Sequence, residues 1–363
     1  MVEKIVNKYE PDYVSPPGET LVDVLESLEM PQVMLATRMG RPTKTINEII
    51  KGRTAITPDT ALQLEKVLGI PASFWNNRER QFREFLSKVK ETRSLEGQMK
   101  WFSLFPVREM MQLGWINKVS RKSAQLVELL KFFRIAEPKQ WKRVWSFPSA
   151  VFRKSKAFQS NRYALSVWLR QGEIEVEQID CKDFNSDTFK AMLSKIRTLT
   201  NESPNTFMDK MMELCALAGV AVVFVPEIRG ARVCGATRWL TQRKALIQLS
   251  LRYKTNDHLW FTFFHEAGHI LRHGKKDLFI EGIKDDNPLE AEADEFSRNL
   301  LIDDKLYREF VRTGDFSRGT IKSFADRIGI APGIVVGRLQ HDKHIEYSFF
   351  NDLKVKYRWA KSE

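Results

Sequence analysis

Three cysteines in 363 residues, Cys181, Cys215 and Cys234, are too few and too widely spaced for a disulfide framework or a four-cysteine metal site. That excludes a disulfide-stapled secreted fold and suits a reducing cytosol, with the three read as ordinary buried thiols. Long apolar runs are missing too. No stretch approaches the roughly 18 residues that a membrane span needs, and the opening residues, with Glu3, Lys4, Glu10 and Asp12, hold no run suited to a signal peptide. Neither export nor membrane insertion is expected, and a cytoplasmic location is. Acidic residues are scarce in one region only. Residues 1–97 carry 14 basic and 14 acidic side chains, residues 98–170 carry 15 and 3, and residues 171–363 carry 29 of each. The whole net charge of +12 therefore resides in the middle segment, a field that attracts polyanions or acidic protein surfaces without specifying which.

What is present is a folded chain with 43 % hydrophobic residues, long enough for two or three domains. From Glu19 to about Leu86, apolar residues recur at helical spacing between Pro31, Gly40, Gly52, Pro58 and Gly69, which predicts five short helices. Residues 98–215 read as mainly helical and unusually aromatic, a connector with its own core. The period then changes: residues 219–226, 234–239 and 245–251 read as strands of a small sheet. Helices follow at Asp257 to about Arg272 and at Pro288 to about Leu301, with two more between Arg318 and His341. The expected boundaries are 1–90, 91–209, 210–345 and a tail at 346–363.

The stretch from Gln32 to Gly52 has the pattern of two helices meeting across a tight turn. Ala36 is small where helices cross, Gly40 permits the positive φ that ends the first helix, and Pro42 opens the second. Ile46, Ile49 and Ile50 claim the buried stripe, leaving Thr43, Lys44, Asn47, Glu48 and Lys51 outside, with Gln32 and Thr45 near the turn. A major groove accepts such a face. Asn and Lys offer hydrogen bonds to base edges, and Lys51, Arg53 and Arg41 are available to phosphates. The residues Pro17-Gly18-Glu19, Thr45 to Ile49, Ile56 to Leu62 and Phe74-Trp75 resemble the HigA-type branch of the Xre-family helix-turn-helix proteins. The resemblance implies a five-helix domain that dimerises on an inverted-repeat operator in double-stranded DNA and represses its own operon.

His265-Glu266-Ala267-Gly268-His269 places two imidazoles four residues apart on one helix face, able to grip one cation, with Glu266 beside them. This is the zincin arrangement, in which zinc acidifies a water and Glu266 takes the proton. A catalytic zinc wants a third protein ligand, and the acidic helix downstream offers Glu290, which shares a face with Asp294, or Glu292, which shares one with Glu295. His273 is read as a surface or outer-shell residue, and His258, His341 and His344 as surface histidines. Arg238, Tyr253 and His273 are the candidates for stabilising an oxyanion. The run from Glu290 to Leu301 after His-Glu-x-x-His resembles the ImmA/IrrE metallopeptidases over roughly residues 210–345, and the resemblance puts the third Zn2+ ligand on Glu290. The sequence departs from that pattern at Asp294, where Asn is usual, at Ser297, where Ala is usual, and at Ile302-Asp303, where Met-Pro is frequent. Residues 150–155 and 164–170 also look like the linker of longer members.

Between these two segments, Lys139, Lys142, Arg143, Arg153, Lys154, Lys156 and Arg162 alternate with Trp141, Trp145, Phe147, Phe152 and Phe158. That composition suits either a nucleic-acid surface with stacking or a helical core with solvated lysines. The expected architecture is α+β, mainly α: a helix-turn-helix domain, a helical connector and a zincin-like domain with a small β-sheet. The expected function is a DNA-binding transcriptional regulator, a homodimer, whose zinc endopeptidase domain cleaves a regulatory protein or toxin. The alternative is a HigA-type antitoxin or repressor whose zincin-like domain only binds a partner, and a third reading is a metal sensor in which zinc occupancy alters DNA affinity.

Overall fold

The computed structural model describes residues 13–145, 162–275, 278–281 and 288–360, and the chain divides into two compact units, Met1–Met99 and Lys100–Glu363. The first holds five helices, α1 (Pro17–Ser27), α2 (Gln32–Met39), α3 (Thr43–Ile50), α4 (Pro58–Leu68) and α5 (Ala72–Glu96). Leu21, Leu35, Ile46, Leu64 and Trp75 are fully buried between them. Gly40 ends α2 in the left-handed region at φ 62°, where a side chain is strained. Pro42 sits one place earlier than a first-turn proline: it is the cap of α3, with extended backbone, and the helix begins at Thr43.

The second unit adds α6 (Met99–Phe102), α7 (Val107–Gln112), α8 (Lys122–Phe133), α9 (Pro138–Val144), α10 (Arg162–Val176), α11 (Ser186–Arg197) and α12 (Pro204–Ala216). Strands β1 (Val220–Phe224), β2 (Gly235–Trp239) and β3 (Ala245–Leu249) follow, then α13 (Asn256–Arg272) and β4 (Leu278–Ile280). Helices α14 (Pro288–Leu301), α15 (Asp304–Arg312), α16 (Arg318–Ile328) and α17 (Pro332–His341) complete it. The sheet order is β1-β3-β2-β4, with β1 and β3 parallel and the other pairs antiparallel.

Alternation along the strands assigns the two faces of this sheet. Val222, Ile247, Thr237 and Phe279 lie in one row across it. They face α13, since the Thr237 hydroxyl donates to the Glu266 carbonyl at 3.2 Å and Phe279 stacks on His269. The opposite face carries Arg238 and Gln248 and is covered by α10. There Trp168 donates its indole N–H to the Val225 carbonyl at 3.2 Å, Gln248 donates to the Trp168 carbonyl at 2.7 Å, and Arg238 pairs with Glu173 at 2.5 Å. Helix α10 is thus the outer layer of a three-layer unit, and the segment read as a connector from residue 100 onward belongs with the sheet. Its aromatics are core: Trp141 and Trp145 are buried with Phe133 and Phe105, while Lys139, Lys142 and Arg143 point outward. Trp141 and Trp145 are therefore not a stacking surface. Phe147, Phe152, Phe158, Arg153, Lys154 and Lys156 lie outside the described residues. Among the described residues no helix is long and apolar enough to cross a membrane.

Candidate metal centre and nucleic-acid interface

On α3, Ile46 and Ile49 are buried and Ile50 half-buried, which leaves Thr43, Lys44, Asn47 and Lys51 exposed. Arg53 is exposed beyond the helix, and Gln32 and Thr45 are half-buried. Two of the residues expected on this face have partners inside the domain: Arg41 donates to Gln63 at 2.5 Å, and Glu48 accepts from Thr54 at 3.2 Å. Among the described residues the side chains of Thr43, Lys44, Asn47 and Lys51 have no such partner.

Helix α13 is apolar on nearly every side, with Leu259, Trp260, Phe263, Phe264, Ala267 and Ile270 buried, as a helix enclosed between a sheet and other helices must be. Two glycines set what it touches. A Cβ on Gly268 would meet Phe296 at 3.1 Å and Ala293 at 3.3 Å, so its absence lets α14 cross close by. A Cβ on Gly235 would meet the Glu266 carboxylate at 2.8 Å, so β2 is hollowed where that side chain lies. Ser297 is fully buried and donates to the Phe261 carbonyl at 2.9 Å, tying α14 to α13 through the residue that departs from the family pattern. Asp303 accounts for itself as the cap of α15, accepting from the Lys305 and Leu306 N–H groups.

This packing brings His265, His269 and Glu290 together as a candidate ligand group. The two Nε2 atoms are 3.0 Å apart, His265 Nε2 lies 3.2 Å from Glu290 Oε2, and His269 Nε2 lies 3.6 Å from Glu290 Oε1. A tetrahedral zinc with bonds of about 2.1 Å has ligand atoms about 3.4 Å apart, so the triangle matches one face of that tetrahedron. His265 Nδ1 donates to the Asp294 carboxylate at 2.8 Å and His269 Nδ1 pairs with His273 Nδ1 at 2.8 Å, so both outer nitrogens are occupied and both Nε2 atoms are turned inward. His273 is no surface residue, with 1 % of its side chain exposed, and its Nε2 is 3.4 Å from Glu292. Glu292 therefore stands behind the histidines, and Glu290 alone of the two faces both inward nitrogens.

Charge in the metal-free group follows from the same contacts. Burial opposes protonation of His265, yet Asp294 and Glu290 outweigh it and lift its pKa well above the ordinary value. Burial and then the bond to Glu290 act in opposite senses on His269, and burial wins, lowering it. Glu290, although burial works against it, is held down to about 2 by the two histidines. Glu266 is 0 % exposed, neither carboxylate oxygen has a hydrogen-bond partner among the described residues, and burial pushes its pKa up to about 8. An orphaned buried carboxylate next to an acceptor triangle fits a bound cation and its water better than it fits a structural role.

Sequence reasoning missed Glu281, which follows the three-residue β4. Burial raises its pKa, and its Oε2 has no hydrogen-bond partner among the described residues. Nothing in its neighbours announces it. Arg238 is ruled out as an oxyanion group because it lies on the α10 face of the sheet, and His273 is ruled out because it sits behind His269. Of the three candidates Tyr253 borders open space, beside His258. His258, His341 and His344 are exposed, as read. All three cysteines are free; Cys215 and Cys234 are buried, but Cys181 is half-exposed. Replacing either Asp294 or His273 with Ala is expected to weaken zinc binding by about 10- to 100-fold, read by competition with a chelator of known affinity. An unchanged affinity in both would contradict the outer-shell assignment.

Residues 21–75 match the family model for a helix-turn-helix, and residues 234–339 match that for the IrrE N-terminal-like domain of a peptidase family. No protein with a curated description matches the chain. Among solved structures, the chain is similar to an addiction module antidote protein of the HigA family from Coxiella burnetii, at 31 % identity, covering 23 % of this chain and 94 % of that one with a TM-score of 0.22. It is also similar to an antidote protein of a plasmid maintenance system from Nostoc punctiforme, at 29 % identity, covering 23 % and 93 % with a TM-score of 0.23. The matched segments contain the exposed face of α3 in one case and the whole His265, Glu266, His269 and Glu290 group in the other, so the chain carries an Xre-type helix-turn-helix domain and an IrrE/ImmA-like peptidase-family domain.

Proposed function

We propose that the protein is a DNA-binding transcriptional regulator whose second unit is a zinc-dependent endopeptidase acting on a regulatory protein or toxin. The observation that carries this reading is the pairing of the His265, His269 and Glu290 triangle with the partnerless Glu266. Zinc in that triangle supplies Lewis acidity, which acidifies water and polarises a peptide carbonyl. Glu266 then has the base's part: it accepts the proton of the attacking water and delivers it to the leaving amine. Gly235 keeps the space its carboxylate needs, and the Thr237 bond to its backbone fixes the turn of helix that bears it. Asp294 and His273 hold the ligand rings in place.

The direct test is Glu266→Gln. Zinc retained with proteolysis lost supports the peptidase. A variant equal to the native chain in every proteolytic and regulatory assay returns the domain to the alternative of a HigA-type antitoxin or repressor that only binds its partner.

For the first unit, the exposed Lys44 and Asn47 of α3 supply base contacts, and Lys51 and Arg53 supply phosphate contacts. A domain of this kind reads the two halves of a palindrome as a dimer. Lys44→Ala together with Asn47→Ala is expected to raise the Kd for DNA from upstream of the protein's own gene by about a hundredfold, since each good base contact is worth about 1–3 kcal/mol. Calorimetry or gel retardation at fixed salt checks it, and unchanged affinity would remove α3 from the groove.

A further inference from the structure

Next to the metal centre lies a cavity of about 350 Å³ whose use the peptidase reading leaves open. Its size is that of a ligand pocket rather than a packing defect. Phe261, Leu301, Ile302 and Ile334 give it apolar walls, and Asp294, which holds His265, stands on its border. Arg298 also lines it. Asp294 and Arg298 are four residues apart on α14, so they share a face and are separated by about 6 Å along the helix. That spacing ordinarily makes an ion pair, yet Asp294 is taken by His265 and the Arg298 side chain has no hydrogen bond or ion pair among the described residues.

The other charges around the cavity are engaged. Arg338 and His341 both bond to Asp342, and Asp257 pairs with Lys354 at 2.7 Å. The remaining acid, Glu281, follows β4 and makes no ion pair with Arg298 among the described residues. What is left is one guanidinium over an apolar pocket, the arrangement that takes a carboxylate in two parallel hydrogen bonds while the walls take its methylenes. A half-buried cation that makes no ion pair is stabilised by a ligand that supplies one.

We propose that this cavity receives an acidic side chain of the polypeptide held at the metal centre, with Arg298 as the residue that selects it. The proposal rests on the peptidase reading. Asp or Glu close to the cleaved bond is then favoured, and the chain discriminates among substrates by charge at that position.

The test uses the full-length zinc-loaded protein and two hydroxamates of equal length, one ending in a carboxylate and the other in a carboxamide, titrated by calorimetry. The hydroxamate anchors both at the metal, and the far end probes the pocket. The expected result is a preference of about tenfold or more for the carboxylate probe, falling to about one in Arg298→Gln, each preference being the ratio of the two Kd values within one protein. Equal affinities in the native chain, or a preference that survives Arg298→Gln, would overturn this inference and leave the metal centre standing. Binding of the carboxylate probe with the same affinity after zinc is stripped would overturn it too, because the pocket would then serve a free carboxylate. Failure of both probes to bind the zinc-loaded chain would remove the metal-centre reading, and the pocket's role with it.

Discussion

Glu266→Gln is expected to keep zinc bound while cutting hydrolysis of a mixed library of fluorescence-quenched peptides by about a hundred- to ten-thousandfold, the usual worth of a positioned general base. The amide is close to the carboxylate in shape, so the hollow at Gly235 still accepts it. It cannot take a proton from water. A second readout separates this chemistry from simple misfolding. In the metal-free native chain the buried carboxyl has a pKa of about 8 against an ordinary 4.5, so the folded state holds a proton that the unfolded state releases. The stabilisation from this proton is complete below pH 4.5 and is lost as pH climbs toward 8. Glu266→Gln removes that loss, so the metal-free variant should show a flatter fall in thermal stability over this window. A variant with native hydrolysis and a native pH slope would contradict both the catalytic role and the burial argument.

Trp168→Ala is expected to destabilise the second unit by about 3–5 kcal/mol, the cost of emptying a fully buried indole site. The side chain is 0 % exposed, its N–H donates to the Val225 carbonyl just past β1, and its own carbonyl accepts from Gln248 on β3. Gly172, one turn later, has no Cβ because Gln248 occupies the space. Against a total stability of about 5–15 kcal/mol such a loss lowers the melting temperature sharply and takes zinc binding with it. Chemical denaturation checks it. A cost below about 1 kcal/mol would mean that α10 rests on the sheet without supporting it.

These two residues mark how far the sequence could be read. The Glu266 motif is local: four residues on a helix set the spacing, so the face was visible without a fold. The helix-turn-helix is legible for the same reason, since Gly40, Ile46 and Ile49 act within a dozen residues of each other. The third ligand is not local. The residues themselves left Glu290 and Glu292 open, and only the crossing of α14 over Gly268 turns one toward the histidines and the other toward His273. Trp168 is harder still. Its aromatic neighbours suggested a separate connector, whereas its partners lie 57 and 80 residues away, on elements that read as a different domain. Arg238 shows a signal that was present and unused: alternation along β2 sets it opposite Gly235 and Thr237, which face α13, and so away from the metal group.

A zinc site closed by Glu290 is tested most directly by the zinc content of the purified chain, measured by elemental mass spectrometry beside Glu290→Ala and Glu292→Ala. The geometry predicts about one zinc per chain, lost in Glu290→Ala and kept in Glu292→Ala. A chain that takes up no zinc when it is supplied under reducing conditions, or that loses it with Glu292→Ala and not with Glu290→Ala, would contradict the account.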